Sequence, residues 1–325
     1  MKMRVLLSTL VANLLVQSPA FAVDPSLPPY QKVEGISGEL KSVGSDTLID
    51  EMTRWSKGFM ALYPDVKILV EGQGSATAPP ALLTGSAQLG PMSRPMTTEE
   101  STAFETKYGY GLTQFRVAVD ALAVYVNKDN PIGCLSLQQL NRIFSLTRRV
   151  AFGGNIGTWG DVGLTGDWAN KPITLYGRNE LSGTYAFFRE MALYSGEYKP
   201  EVKKQPSSEA VVQMVANDPY AIGYSGIGYK TSGVRTVPLA VAEGSACSDT
   251  SAEAAYSRKY PLARYLYIYV NRKPDAPLDP LRREFIKYIL SKDGQTETEA
   301  GGFYSITNAD REHDLKKLGI APVSQ

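Results

Sequence analysis

Histidine is all but missing from this sequence: His313 is the single one among 325 residues. It lies in the charged run Arg311-Glu312-His313-Asp314, and such runs ordinarily face water. A histidine-based catalytic triad or a histidine-rich metal centre is therefore not expected. Cysteine is almost as scarce. Cys134 and Cys247 lie far apart and form no C-x-x-C pattern, which removes the common redox and zinc motifs. Nor is there an excess of charge of one sign: the formal net charge is +1, and it falls to about −1 when Lys2 and Arg4 are set aside. Without a broad basic field, nucleic acid is not an expected partner. Any anion would have to be held by local donors.

What is present begins at the N-terminus. Lys2 and Arg4 precede an apolar run through Leu6, Leu7, Leu10, Val11, Leu14, Leu15 and Val16, and Ala20-Phe21-Ala22 follows. A basic start, an apolar stretch and a small-x-small site make an export signal. Residues 1–22 are thus expected to be cleaved after Ala22, leaving Val23 as the first mature residue. The apolar stretch is short for a membrane span, and no cysteine stands at the cleavage site to take a lipid. The implied compartment is a bacterial periplasm. In that oxidising setting Cys134 and Cys247 are expected to pair, closing a loop of more than a hundred residues. The composition, 43% hydrophobic and 21% charged, can bury a core in one large or two medium domains.

Residues 23–36, with Pro25, Pro28 and Pro29, read as an irregular arm. Strands then alternate with helices. Gly38–Val43 is a strand, and Leu48, Met52, Trp55, Phe59 and Leu62 recur at helical spacing until Pro64 stops the pattern. Val66–Val70 is a second strand, followed by a helix carrying Ala81, Leu82 and Leu83. Further strands are expected at Leu122–Val126, Ile173–Tyr176, Ala221–Tyr224 and Tyr265–Val270. Helices are expected at Leu137–Phe144, Tyr185–Tyr194, Ala210–Asn217 and Leu281–Leu290. This alternation argues for an α/β fold with mixed, mostly parallel sheets. Tyr265, Tyr267 and Tyr269 fall on one face of their strand, where packing or a lobe interface explains them better than ligand stacking.

Three strand-to-helix turns share one chemistry: Gly44-Ser45-Asp46-Thr47, Gly74-Ser75-Ala76-Thr77, and Gly177-Arg178 through Ser182-Gly183-Thr184. A helix N-terminus presents unpaired N–H groups and the positive end of the helix dipole, which suit an anion. Glycine allows close approach, Ser and Thr add hydroxyl donors, and Arg178 can grip two oxyanion oxygens at once. For any single turn the plainer account is a capped helix, since Ser, Thr and Gly are ordinary cap and turn residues. Arg178 favours the anion at the third turn. None of the three is a Walker A loop or a well-formed G-x-G-x-x-G.

Arg178 through Ser182-Gly183-Thr184 to Phe188 resembles the R-x-x-x-S-G-T-x-x-x-F signature of periplasmic phosphate-binding proteins of ABC importers. Gly44–Leu48, Gly74-Ser75, Gly90-Pro-Met-Ser93-Arg94-Pro95, Ala221–Tyr224 and Tyr260–Leu262 resemble further segments of that family, so the likeness spans nearly the whole mature chain. It implies a two-lobed periplasmic-binding-protein fold of type II, with 37–117 and 263–325 in lobe 1 and 118–262 in lobe 2. It also implies a monomeric binder, not an enzyme, without cofactor or metal, that delivers inorganic phosphate to membrane permease subunits. The shell carried over is Thr47, Leu48, Ser75, Ser93, Arg94, Arg178, Ser182, Gly183 and Thr184. One departure stands out. Where some members have an aspartate that accepts the phosphate proton, this chain has Ser93. Asp46 is the candidate replacement, with helix capping an equal alternative.

Other readings are an exported phosphatase, a binder of a phosphate ester or of another tetrahedral oxyanion such as sulfate, and an adhesion protein on the same fold. A phosphatase would need a nucleophile or metal cluster that these residues do not suggest. The expected product of export is a protein whose N-terminal sequencing starts Val23-Asp24-Pro25; a start elsewhere would displace the cleavage site.

Overall fold

The computed structural model describes residues 23–149 and 153–320; the export signal at 1–22 lies outside them. The first half runs β1 (Gly38–Val43), α1 (Ile49–Leu62), β2 (Val66–Glu71), α2 (Ala78–Thr84), β3 (Gly90–Met92), α3 (Thr98–Tyr108), β4 (Thr113–Ala121), β5 (Ala123–Asn127), β6 (Leu135–Ser136) and α4 (Leu137–Phe144). It continues with β7 (Thr174–Arg178), α5 (Gly183–Met191), β8 (Lys203–Gln205), α6 (Ser208–Ala216), β9 (Ala221–Ser225), β10 (Val234–Thr236), β11 (Leu239–Ala240) and α7 (Ala252–Tyr256). The chain closes with β12 (Ala263–Val270), α8 (Pro280–Ile289), α9 (Lys292–Ala300) and α10 (Asn308–Lys317).

The larger sheets form two groups. In the first, β1 pairs with β2 in parallel, a bridge from Ser42 to Leu89 leads towards β3, and β12 lies between β3 and β4. The second is a five-stranded sheet in the order β10-β5-β9-β7-β8. Its β7 runs parallel to β8 and β9, whereas β5 is antiparallel to β9 and β10. The sheets are mixed, as expected, but the antiparallel share is larger than strand–helix alternation implies. The longest ladder, β4 with β12 from Thr113↔Val270 to Ala121↔Ala263, joins strands far apart in sequence, which local periodicity cannot reveal. Its end lies where Leu122 donates to the Leu262 carbonyl, just before β5 enters the second group.

Local chemistry explains the elements. α1 buries Met52, Trp55 and Phe59, and the N-terminal arm docks on it: Tyr30 packs edge-on against Phe59 and bonds the Tyr63 hydroxyl at 2.7 Å. α3 begins with a Thr97–Glu100 capping box, and α5 and α6 are capped by Ser182 and Ser207. The tyrosines of β12 pack as expected, with Tyr265 under the Arg116 and Arg258 guanidiniums and Tyr269 accepting the Met96 N–H. His313 is exposed, but its charged neighbours are not all solvated. Asp314 is buried and accepts both the backbone N–H and Nε of Arg116, each at 2.8 Å.

Cys134 and Cys247 form the expected disulfide across 113 positions, tying the loop after β11 to the residue just before β6. Replacing both by serine should cost about 2–4 kcal/mol, because the bond restricts the unfolded chain. The check is chemical denaturation of the exported protein; an unchanged midpoint would show that the loop is held without the bond.

Candidate functional site

Every segment of interest leaves the carboxyl end of a strand and arrives between the two strand groups, where ligands of open α/β sheets sit. The first group sends Ser45–Leu48 from β1, the glycine turn Gly74–Thr77 from β2, and Ser93 from β3. The second sends Arg178–Thr184 from β7 and Ser208 at the start of α6. Ser45, Asp46, Thr47, Ser75, Ser93, Arg178, Ser182, Thr184 and Ser208 are all buried.

Hydroxyls form the middle of this seam. Ser93 Oγ lies 3.1 Å from Ser45 Oγ and 3.2 Å from Ser75 Oγ, and Ser75 Oγ accepts the Ser93 N–H at 3.0 Å. Across the seam Thr47 Oγ1 and Thr184 Oγ1 are 3.0 Å apart. Such closeness depends on Gly183, where an added Cβ would stand 2.3 Å from Ser75 Oγ and 2.7 Å from Ser93 Oγ. Gly74 is the matching glycine of the opposite turn. Its φ of +122° suits glycine alone, and its Cα packs against the Leu181 carbonyl, which accepts the Ala76 N–H at 3.1 Å. Ser182 caps α5 by accepting from Thr184 and Tyr185, which leaves its own hydrogen to donate.

Two buried ion pairs flank the hydroxyls. Arg178 Nη1 lies 2.8 Å from Asp46 Oδ2 and 2.9 Å from Ser208 Oγ. Its Nη2 donates to the Pro206 carbonyl at 3.1 Å and its Nε to that of Gln205 at 3.4 Å. Ser208 in turn donates to Asp46 Oδ2 through both its backbone N–H and its hydroxyl. Asp46 Oδ1 is buried and, among the described residues, has no hydrogen-bond partner. The capping alternative for Asp46 is not what forms: Leu48 occupies the α1 N-cap with no side-chain bond, while the Asp46 carboxylate faces Arg178. The second pair, Arg264 with Asp120, has Nη2 to Oδ2 at 2.8 Å. Burial pulls the Arg264 pKa down and Asp120 opposes that pull.

Of the residues singled out in sequence, Thr47, Ser75, Ser93, Arg178, Ser182, Gly183 and Thr184 come together, with Asp46 among them. Leu48 contributes only backbone, its side chain being buried in the core. Arg94 is not brought in. Its guanidinium makes a two-pronged bond to Glu100, 2.7 Å on each prong, and donates to the Pro95 carbonyl. Asp120, Ser208 and Arg264 belong to the seam and were not read from sequence, and Ser45 was read only as part of the first turn. For two of them a signal exists. Asp120 interrupts the apolar run Val117-Ala-Val-Asp-Ala-Leu, and Arg264 alternates with Leu266 and Ile268 on the buried face opposite the tyrosines. A charge on the buried face of a strand needs a partner. Among the described residues no cluster of His, Cys, Asp or Glu could hold a metal ion, and no helix is long and apolar enough to cross a membrane.

Comparison with known proteins places this seam in context. A family model described as the PBP superfamily domain matches residues 31–293. Known folds agree: a phosphate-bound structure from Clostridium perfringens superposes with a TM-score of 0.70 at 22% identity, covering 83% of this chain and 100% of that one. An ABC-type phosphate transport receptor from Vibrio cholerae does so with a TM-score of 0.64 at 22% identity, covering 82% and 100%. The molecule is thus a two-lobed periplasmic-binding-protein fold with its seam between the lobes. Phosphate-binding protein PstS of Pseudomonas aeruginosa is 50% identical over 323 residues, covering 98% of this chain and 100% of the relative. PstS of Staphylococcus aureus is 28% identical, covering 82% and 78%. The chain belongs to the PstS family of phosphate-binding proteins.

Gly183→Ala should force the two walls of the seam apart, since the new methyl meets the Ser75 and Ser93 hydroxyls and the Ser75 Cβ. At the first position of α5 alanine is a good helix former, so folding should survive. Small-angle scattering should then give a larger radius of gyration than the parent; an identical radius would mean that the hydroxyls yield.

Proposed function

We propose that this chain captures inorganic phosphate between its lobes in the periplasm and delivers it to the permease subunits of an inner-membrane ABC importer. The observation that carries the reading is the seam itself: donor hydroxyls and helix N-termini from both lobes, buried together beside Arg178. The names of the P. aeruginosa relative and of the V. cholerae structure support it. Binding replaces the hydroxyl–hydroxyl contacts of the seam. Thr47, Ser75, Ser93, Ser182 and Thr184 donate hydroxyls. Leu48 and Gly183 offer N–H groups that, among the described residues, have no backbone acceptor. Arg178, with four contacts already made to protein, supplies positive charge and one further Nη2 hydrogen.

Lobe 1 is taken as 37–117 with 263–325 and lobe 2 as 118–262, acting as a monomeric clamp; the β4–β12 ladder runs past the first of these boundaries to Ala121, and its end there supports a hinge. Asp46 Oδ1 is assigned as acceptor of the phosphate proton. A buried carboxylate oxygen without a donor welcomes a protonated anion and repels fully ionised sulfate, and so replaces the aspartate absent at Ser93.

Isothermal titration of the refolded, ligand-stripped protein with phosphate, arsenate and sulfate tests both claims. Phosphate should bind one to one. Arg178→Ala should weaken binding by about two to three orders of magnitude, from roughly 3–4 kcal/mol lost when a buried pair is broken. Asp46→Asn should narrow the preference for phosphate over sulfate. No phosphate binding by the folded parent would overturn capture, and an unchanged preference would remove Asp46 from its role.

A further inference from the structure

Arg264 sits where β12 enters the first strand group, in register opposite Asp120 of β4 and one position from the end of the ladder. Its side chain is 3% exposed and reaches three places. Nε donates to Asp120 Oδ2 at 2.9 Å. Nη1 donates to the Ser93 carbonyl at 2.9 Å, on the first side of the seam. Nη2 donates to Thr184 Oγ1 at 2.9 Å, on the second. The Phe187 ring lies 5.2 Å away, and Asp120 Oδ1 accepts the Ile227 N–H at 3.0 Å. A single guanidinium therefore touches the hinge ladder and both walls of the site.

Arginine has only donors, so the direction of each bond is fixed. Thr184 Oγ1 must accept from Arg264, and its own hydrogen remains to be donated elsewhere, towards the side where Thr47 lies. Given the capture of phosphate proposed above, on which this inference rests, we propose that Arg264 is a positioning residue of the binding site. Without touching the anion, it fixes the Thr184 hydroxyl as a donor and ties the Ser93 wall to the Thr184 wall at the hinge. Closure then brings together donors that are already oriented. Fixing donors favours every tetrahedral oxyanion alike, unlike Asp46, which distinguishes protonated from unprotonated ones.

The test is a double-mutant cycle on the full mature protein, with Arg264→Lys, Thr184→Val and the pair, read by titration with phosphate, arsenate and sulfate. Arg264→Lys keeps a cation beside Asp120 but loses the fork. It should weaken phosphate and arsenate about ten- to a hundredfold and by the same factor, as expected for charged hydrogen bonds. Any measurable sulfate binding should fall in proportion. In the Thr184→Val background the same change should cost no more than about threefold, because the hydroxyl it orients is gone. Thr184→Ser, which restores the hydroxyl, should restore the full sensitivity. If Arg264→Lys does not fold, Arg264→Gln with Asp120→Asn replaces the ion pair by a neutral hydrogen-bonded one and takes its place in the cycle. Independent, multiplying losses, or an Arg264→Lys protein with parental affinity, would overturn the inference while leaving capture intact. A parent that binds no phosphate would overturn capture itself.

Discussion

The rest of the site depends on the buried pairing of Arg178 with Asp46. Each comes from a different strand group, and both are buried, so each would be costly to leave alone. The pair therefore forms only where the two walls meet, and its attraction there offsets the cost of taking both charges out of water. Ser208 reinforces it with two donations to the same carboxylate oxygen. Tyr229 adds a hydroxyl bonded to the carbonyls of Asp46 and Thr47, each at 3.1 Å. Burial and the nearby carboxylates hold that phenol in its neutral, donating form by raising its pKa.

Once the walls are held, glycine sets how close they come. Gly183 and Gly74 let backbone stand where any side chain would intrude, so the hydroxyls of Ser75 and Ser93 reach the N-terminus of α5. Small polar residues suit such a place: a serine hydroxyl both donates and accepts, so the seam can satisfy itself when closed and turn its hydrogens to an anion when filled. In the proposed capture, conformational change and ligation would use the same groups, which would couple binding to closure.

Much of this was readable in the sequence because it is local. The helix from Leu48 and the helix Leu137–Phe144 follow from apolar spacing, and their observed limits are Ile49–Leu62 and Leu137–Phe144. The three glycine-bearing turns announced themselves by residue type alone. What escaped is what depends on pairing over long distances. The β4–β12 ladder joins strands some 150 positions apart, with Asp120 and Arg264 opposite each other, so neither could be matched to its partner by periodicity. Arg94 shows the converse error. The family resemblance of the Gly90–Pro95 segment implied an anion contact, but Glu100, six positions later, is close enough to claim it. A role carried over by segment resemblance is weak for a cation when a local carboxylate can compete.

The charge balance of the seam bears on selectivity. Arg178 and Arg264 are matched by Asp46 and Asp120, so the buried site brings no net charge to an arriving anion. Attraction must then come from oriented dipoles: hydroxyls, N–H groups and the amino ends of α1 and α5. This agrees with a chain whose formal charge is only +1, since no basic surface is required to fill such a site. It also puts discrimination where dipoles can exercise it. A net positive pocket would reward the more highly charged anion and favour sulfate over monobasic phosphate. In the proposed capture of phosphate, a neutral pocket of donors in which Asp46 Oδ1 has no partner among the described residues would instead reward the anion that still carries a proton.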